Sequence, residues 1–213
     1  TVVAIYDGDD NLTGNWSSKT FTVAKKDITI SIADITTTIV VDSPVNITAN
    51  LNETVTGDVI FNINGINYTV HVDNSNNASY IYTPVNNATL TVVATFVGND
   101  VYYGNVSDPK VFVVNRIATS IQVSFNSPII SDDDVMISIT MDHEVDGIVR
   151  LFVGTKDYEV AIAKGSGQYL FSHAFKGTYE VTAIFDGDDK YSNCTSDEKQ
   201  LLVNSILTKL SIT

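Results

Sequence analysis

Three acidic clusters carry the carboxylates that could bind a cation: Asp7-Gly8-Asp9-Asp10, Asp132-Asp133-Asp134 and Asp186-Gly187-Asp188-Asp189. Calcium takes about six to eight oxygen ligands, and none of the clusters has the spacing of an EF-hand loop. The same residues also make turns, because Asp accepts hydrogen bonds from the backbone that follows it and Gly takes positive φ. The expectation is no cofactor, with calcium at the acidic turns as the alternative. A second set of sites is the nine Asn-x-Ser/Thr sequons beginning at Asn11, Asn15, Asn46, Asn52, Asn67, Asn77, Asn87, Asn105 and Asn193. With 19 Asn and 42 Ser or Thr in 213 residues, chance alone yields about four. Asn15, Asn105 and Asn193 read as equivalent positions, just after a Gly-Asp turn and before a last strand. Two readings stay open there: N-glycosylation, or a turn asparagine copied by duplication.

Nucleophilic and general-base chemistry has little to work with. His71, His143 and His173 are scattered, no His-x-x-x-His or Cys-His pair occurs, and no nucleophile elbow is present. An enzyme is not expected. The single cysteine, Cys194, rules out an intrachain disulfide. It reads as a small apolar side chain packed at the start of the last strand, at the position of Trp16 and Val106 in other copies. Trp16, Tyr80, Tyr82, Tyr102 and Tyr103 could stack on a sugar face. Tyr80 and Tyr82 share a strand face, and Tyr80 and Tyr102 recur as Tyr169 and Tyr191 in the next copy, which points instead to packing.

The elements that would position these groups are strands. Val, Ile and Thr total 73 residues against 21 Leu and Ala; β-branched side chains lose freedom in a helix and fit a pleated surface. Asp (20) and Asn (19) far outnumber Glu (5), which suits turns. The formal charge of -13 opposes nucleic acid and anionic membrane surfaces. No run of about 18 apolar residues and no targeting leader is present, so the expectation is a soluble segment.

An internal repeat organises the chain. Thr1-Val-Val-Ala-Ile-Tyr-Asp-Gly-Asp-Asp10 recurs as Thr91-Val-Val-Ala-Thr-Phe-Val-Gly-Asn-Asp100 and as Val181-Thr-Ala-Ile-Phe-Asp-Gly-Asp-Asp189. Phe61, Ile63, Tyr68 and Val70 likewise reappear as Leu151, Val153, Tyr158 and Val160. The expected strands of the first full unit are Ile28 to Ala33, Val45 to Leu51, Val59 to Ile63, Ile66 to Val72, Ser79 to Thr83, Leu90 to Phe96 and Lys110 to Val114. Asn64-Gly65 predicts a type I′ hairpin and Gly154-Thr155 a type II′ one. Short alternating strands bounded by turn residues describe an all-β chain of tandem Ig-like antiparallel β-sandwich domains. The expected division is 1–23, the last two strands of a preceding repeat; 24–115 and 116–204, two complete domains; and 205–213, the first strand of a following repeat. The chain then reads as an excerpt of a longer polypeptide whose modules, joined without Gly or Pro, form a semi-rigid rod.

Gly57-Asp-Val-Ile-Phe61 with Asn64-Gly65, and Gly177-Thr-Tyr-Glu-Val-Thr-Ala-Ile-Phe-Asp-Gly-Asp-Asp-Lys-Tyr191, resemble the bacterial-type Ig-like (Big) repeats of adhesin-like cell-surface proteins. The abundance of Asn and Thr is most similar to the adhesin-like proteins of methanogenic archaea. The resemblance spans essentially the whole chain. It departs at Val97, where the other copies have Asp, and at Leu90, where the last has Tyr179. It implies a structural or adhesive stalk segment of a large extracellular glycoprotein at the cell surface, or alternatively a carbohydrate- or protein-binding module. The partners implied are a surface or extracellular protein or glycan, and neighbouring repeats of the same chain. Gly177-Thr178-Tyr179 also resembles the tyrosine corner of Ig sandwiches, whose hydroxyl bonds nearby backbone.

Overall fold

A computed structural model describes residues 1–35 and 37–207. The further strand expected over 205–213 lies outside the described residues from 208 onward. Among the described residues every regular element is a strand: β1 (Val2–Gly8), β2 (Thr13–Lys19), β3 (Ile30–Ile32), β4 (Ile39–Val40), β5 (Val45–Ile63), β6 (Ile66–Tyr82), β7 (Ala88–Phe96), β8 (Asn105–Val106) and β9 (Lys110–Asn115), followed by β10 (Ile121–Ser124), β11 (Ile129–Ile130), β12 (Val135–Met141), β13 (Gly147–Val153), β14 (Lys156–Ile162), β15 (Ser166–Phe171), β16 (Gly177–Phe185), β17 (Cys194–Thr195) and β18 (Lys199–Asn204). Among the described residues no helix is long and apolar enough to cross a membrane. Two compact units make up the chain, one of Thr1–Ile35, Asn46–Tyr82 and Leu90–Phe112, the other of Thr36–Val45, Thr83–Thr89 and Val113–Thr213.

In the strands β10 to β18 the sandwich is closed by two sheets, β10-β12-β15 facing β11-β18-β16-β13-β14. Alternation puts Ile137, Ile139, Val149, Leu151, Val181, Ala183, Leu201 and Val203 between them, each at most 1% exposed. Burying one such aliphatic side chain is worth about 1.5–3 kcal/mol, so the core stabilises the module without a disulfide. Val153 pairs with Lys156 across Gly154-Thr155, and Gly154 has φ +62°, the first-position geometry of a II′ turn.

The strands β3 to β9 repeat this plan with one change. Val59, Phe61, Ile63, Val92, Ala94 and Phe96 fill the core, at 2% exposure or less. Asn64 and Gly65 both take positive φ, as a type I′ turn requires. However, the stretches around 52–58 and 73–77, which lie between the expected strands, are extended. β5 runs unbroken from its pairing with β3 (Ile30 opposite Leu51) to its pairing with β7 (Val59 opposite Phe96). Thr56 holds this extension: its hydroxyl donates to Asp73 (3.0 Å) and accepts from the Asn74 amide (3.0 Å). Buried Val55 anchors the same stretch.

β1 and β2 form a two-stranded sheet on their own. Counted from Gly8 and Gly98, Val2 and Tyr6 correspond to Val92 and Phe96. The latter pair is fully buried, whereas Val2 is 57% and Tyr6 45% exposed.

Candidate functional site

The acidic turns form one device built three times. Asp9 Oδ1 accepts the amides of Asn11 (2.8 Å) and Leu12 (2.9 Å). Asp188 Oδ1 accepts those of Lys190 (2.7 Å) and Tyr191 (2.6 Å). In the copy between them the acceptor is a neutral amide: Asn99 Oδ1 takes Val101 and Tyr102, at 2.9 and 2.8 Å. A carboxamide and a carboxylate do the same work, so the turn needs an acceptor oxygen and not a charge. The hydrogen bond from the Tyr6 hydroxyl, then the Asn11 and Leu12 amides, hold the Asp9 carboxyl below its usual value. The preceding Gly8, Gly98 and Gly187 all have φ between +84° and +93°. A Cβ there would meet the backbone N of Gly14, Gly104 and Asn193 at 2.6, 2.7 and 2.8 Å, so glycine is required for close approach as well as for φ.

That contact also fixes the register, and it corrects the sequence alignment. Gly14, Gly104 and Asn193 occupy one position, so Asn15 and Asn105 correspond to Cys194. The ladders agree, since Asn105 pairs with Phe96 and Cys194 with Phe185. Asn193 is therefore one residue out of step with Asn15 and Asn105, and Cys194 does not stand in the place of Trp16 and Val106. Backbone geometry outweighs the identity of the asparagines. Cys194 does pack against the core; burial first, then the Asp142 charge, pushes its thiol up, away from thiolate chemistry.

The sequon asparagines differ in how far they are engaged. Asn105 accepts from Val106 N (2.7 Å) through Oδ1 and donates through Nδ2 to the Ile28 carbonyl. Its sequon partner Ser107 is buried, accepting from Ala94 N (3.0 Å) and donating to the Asp108 carbonyl (2.9 Å). Ser196 repeats both bonds with Ala183 N (2.9 Å) and Asp197 O (3.0 Å). Asn52 Oδ1 accepts from Thr29 N (2.8 Å), Asn15 Oδ1 from Trp16 N (2.8 Å) and Asn67 Oδ1 from Asn62 Nδ2 (2.6 Å). Asn77 lies on β6, exposed, and Asn87 is half-buried, its amide donating to Asp189 O (2.9 Å). Asn11, Asn46 and Asn193 are exposed.

Each histidine meets an aspartate, which the sequence did not suggest: His71 with Asp58 (2.6 Å), His143 with Asp142 (2.8 Å) and His173 with Asp132 (2.9 Å). Asp132 and Asp134 thus act on His173, through its ring and its backbone amide. The Asp132 hydrogen bond, then the charges of Asp132 and Asp134, raise the His173 pKa. At Asp142 burial pushes the pKa up, but bonds from Ser120 N (3.0 Å), Thr119 Oγ1 (2.6 Å), His143 and Ser120 Oγ (2.9 Å) outweigh it and hold the carboxyl well below the usual range. Ser120 and His143 both bond Asp142, whereas a nucleophile needs the imidazole between hydroxyl and carboxylate. Asp186 forms a two-point pair with Arg150 (2.8 and 3.2 Å); the corresponding residues 90 and 89 earlier are Ile60 and Val97. That copy therefore has neither the arginine nor the aspartate of this pair. Among the described residues no group of three or more His, Cys, Asp or Glu is placed to hold a metal ion.

The aromatic residues pack in copies. Tyr68 lies 4.5 Å from Tyr80, and Tyr158 lies 4.5 Å from Tyr169; Tyr82 and Phe171 then meet the same partners edge-on at 6.2 and 6.4 Å. Tyr179 Oη donates to the Phe175 carbonyl (3.0 Å), which is the tyrosine-corner bond. In the second unit a groove of about 710 Å³ opens between β14 and β15, lined by Tyr158, Tyr169, Phe171, Phe175 and Tyr179 with Lys156 and three hydroxyl side chains. β14 ends one sheet and β15 the other. A Cβ on Gly154 would stand 3.3 Å from the Tyr179 ring, so the hairpin's glycine lets that ring form the floor. Sequence reasoning missed this groove; its only signals were Tyr179 in place of Leu90 and one extra residue between Phe171 and Ala174.

Comparison with known protein families finds no match, and comparison with characterised proteins finds none either. Among solved structures the chain is similar to the fibronectin(III)-like modules of CbhA from Clostridium thermocellum, with 15% identity over 87% of this chain and 100% of that chain and a TM-score of 0.34. It is also similar to a structure described for host cell surface retention of a 1.5-MDa bacterial ice-binding adhesin, with 14% identity, 85% and 67% coverage and a TM-score of 0.38.

Proposed function

We propose that the chain is a structural and adhesive stalk segment of a large extracellular adhesin-like protein of the cell surface. The observation that carries this reading is the threefold copy of one turn, in which glycine, acceptor oxygen and backbone bonds recur at Gly8, Gly98 and Gly187. The copies share a module's scaffold and differ in surface chemistry: Asn99 stands where the others have Asp9 and Asp188, and the Arg150–Asp186 pair stands where another copy has Ile60 and Val97. Such a pattern suits a protein that uses serial modules for their architecture. The modules are taken as residues 24–115 and 116–204. The hairpin 1–23 supplies the last two strands of a third, because its exposed Val2 and Tyr6 match core positions of the others. The partner of the adhesive surface is an extracellular protein or glycan.

N-glycans on the exposed sequons fit the same setting, since they shield sheet edges. The resemblance to archaeal adhesin-like repeats gives the source class to test first. Antibody raised against the chain should label intact source cells without permeabilisation. Labelling only after permeabilisation would remove the surface assignment.

A further inference from the structure

We propose that the groove between β14 and β15 binds an uncharged pyranose, one or two rings of a neutral glycan. Its volume of about 710 Å³ falls within the ~300–1,000 Å³ of small-ligand sites. The ligand's chemistry follows from what the lining leaves free. Phe175, at the groove, is 76% exposed, so a ring face stands open to solvent. A pyranose presents a patch of C–H groups that excludes water against such a face.

The remaining lining is polar. Thr155, Ser172, Thr178 and Lys156 border the same space, and no hydrogen bond or ion pair occupies their side chains among the described residues. Three hydroxyls can both donate and accept, and the ammonium donates, which matches the mixed donor and acceptor pattern of sugar hydroxyls. An apolar peptide would leave these groups desolvated and unpaired. A ligand with net charge fares worse. The chain's charge of -13 opposes polyanions, and the unpaired Lys156 ammonium at the groove opposes a cation.

The groove is particular to its sequence. Tyr179 replaces the buried Leu90, Phe175 replaces Val85, and Lys156 replaces Ile66. These substitutions sit on a scaffold whose other aromatic pairs are preserved, so a binding role has been laid over the structural one. The site therefore stands or falls separately from the stalk assignment.

The test is NMR titration of the whole chain, labelled with ¹⁵N, with the methyl glycosides of glucose, galactose and mannose and with their disaccharides. Saturable shifts are expected at the amides of Lys156, Tyr158, Leu170 and Phe175, with dissociation constants in the millimolar range, and none at Tyr68, Tyr80 or Tyr82. Phe175→Ala keeps the carbonyl that accepts from Tyr179, so the fold is retained; it should weaken binding about threefold to tenfold. Unchanged melting of that variant separates a failed site from a failed module. The proposal is overturned if no neutral pyranoside gives saturable shifts, if Phe175→Ala binds as well as the parent, or if glucuronate or a tetramethylammonium probe saturates these amides more tightly than any neutral sugar.

Discussion

Replacing Ser196 by alanine puts the copied framework under direct strain. Ser196 is 7% exposed, its hydroxyl accepts from the Ala183 amide at 2.9 Å, and Ala183 is wholly buried. With the oxygen gone, that N–H has no acceptor and no access to water. An unsatisfied buried donor costs about 1–3 kcal/mol, whereas the Asp197 carbonyl lies nearer the surface and can be rehydrated. Taking about 2 kcal/mol, and ~4–8 °C per kcal/mol for a module of this size, the melting point of that sandwich falls by about 8–16 °C. Melting followed by NMR, with the Phe96 and Phe185 amides reporting the two sandwiches, should show the fall at Phe185 alone. Ser107→Ala should produce the matching fall at Phe96, and the double variant should lower each sandwich by its own amount. A fall under about 2 °C at either position would refute the claim that the hydroxyl is the sole partner of the amide.

Three further outcomes follow from the same bonds. Arg150→Ile or Asp186→Val alone strands one exposed charge, and the pair of substitutions rebuilds the apolar combination of the first copy; the double variant should be at least as stable in urea as either single one, with all effects within about 1 kcal/mol. Asp142 has a depressed folded-state pKa, so its contribution is complete above the unfolded value of about 4 and is lost as pH falls through the lower folded value; urea melts between pH 5 and pH 2 should show this loss in the parent and not in Asp142→Asn, whose amide does not titrate; Asn52 accepts the Thr29 amide at the corresponding position, so an amide fits there. In natively produced protein, glycopeptide mass spectrometry should find Asn46 more fully modified than Asn105, whose Nδ2 and sequon hydroxyl are both engaged; the reverse order would mean that modification ignores the folded state.

The strand plan was legible because it is written in alternation and in turn chemistry. Phe61, Ile63 and their copies mark the inward face, Asn64-Gly65 marks the hairpin, and Gly177-Thr178-Tyr179 marks the corner whose hydroxyl does reach the Phe175 carbonyl. Residues 52–58 and 73–77 fell outside the expected strands because Asn, Asp and Gly there suit turns; the bonds of Thr56 to Asp73 and Asn74, which join positions far apart in sequence, override that preference. The alignment of Asn193 with Asn105 failed for a related reason. Matching letters ignored the close approach of Gly187 to Asn193 N, which only the backbone reveals. The groove was invisible since it forms where the edges of two sheets lie side by side, and neither strand carries a motif of its own.

The account rests on the proposal that residues 116–204 are a complete module, a repeat unit able to fold by itself. Expressed alone and labelled with ¹⁵N, this fragment should give a dispersed spectrum in which the core amides of β12, β13, β16 and β18 superimpose on those of the whole chain. A collapsed, undispersed spectrum, or core shifts displaced throughout, would contradict it.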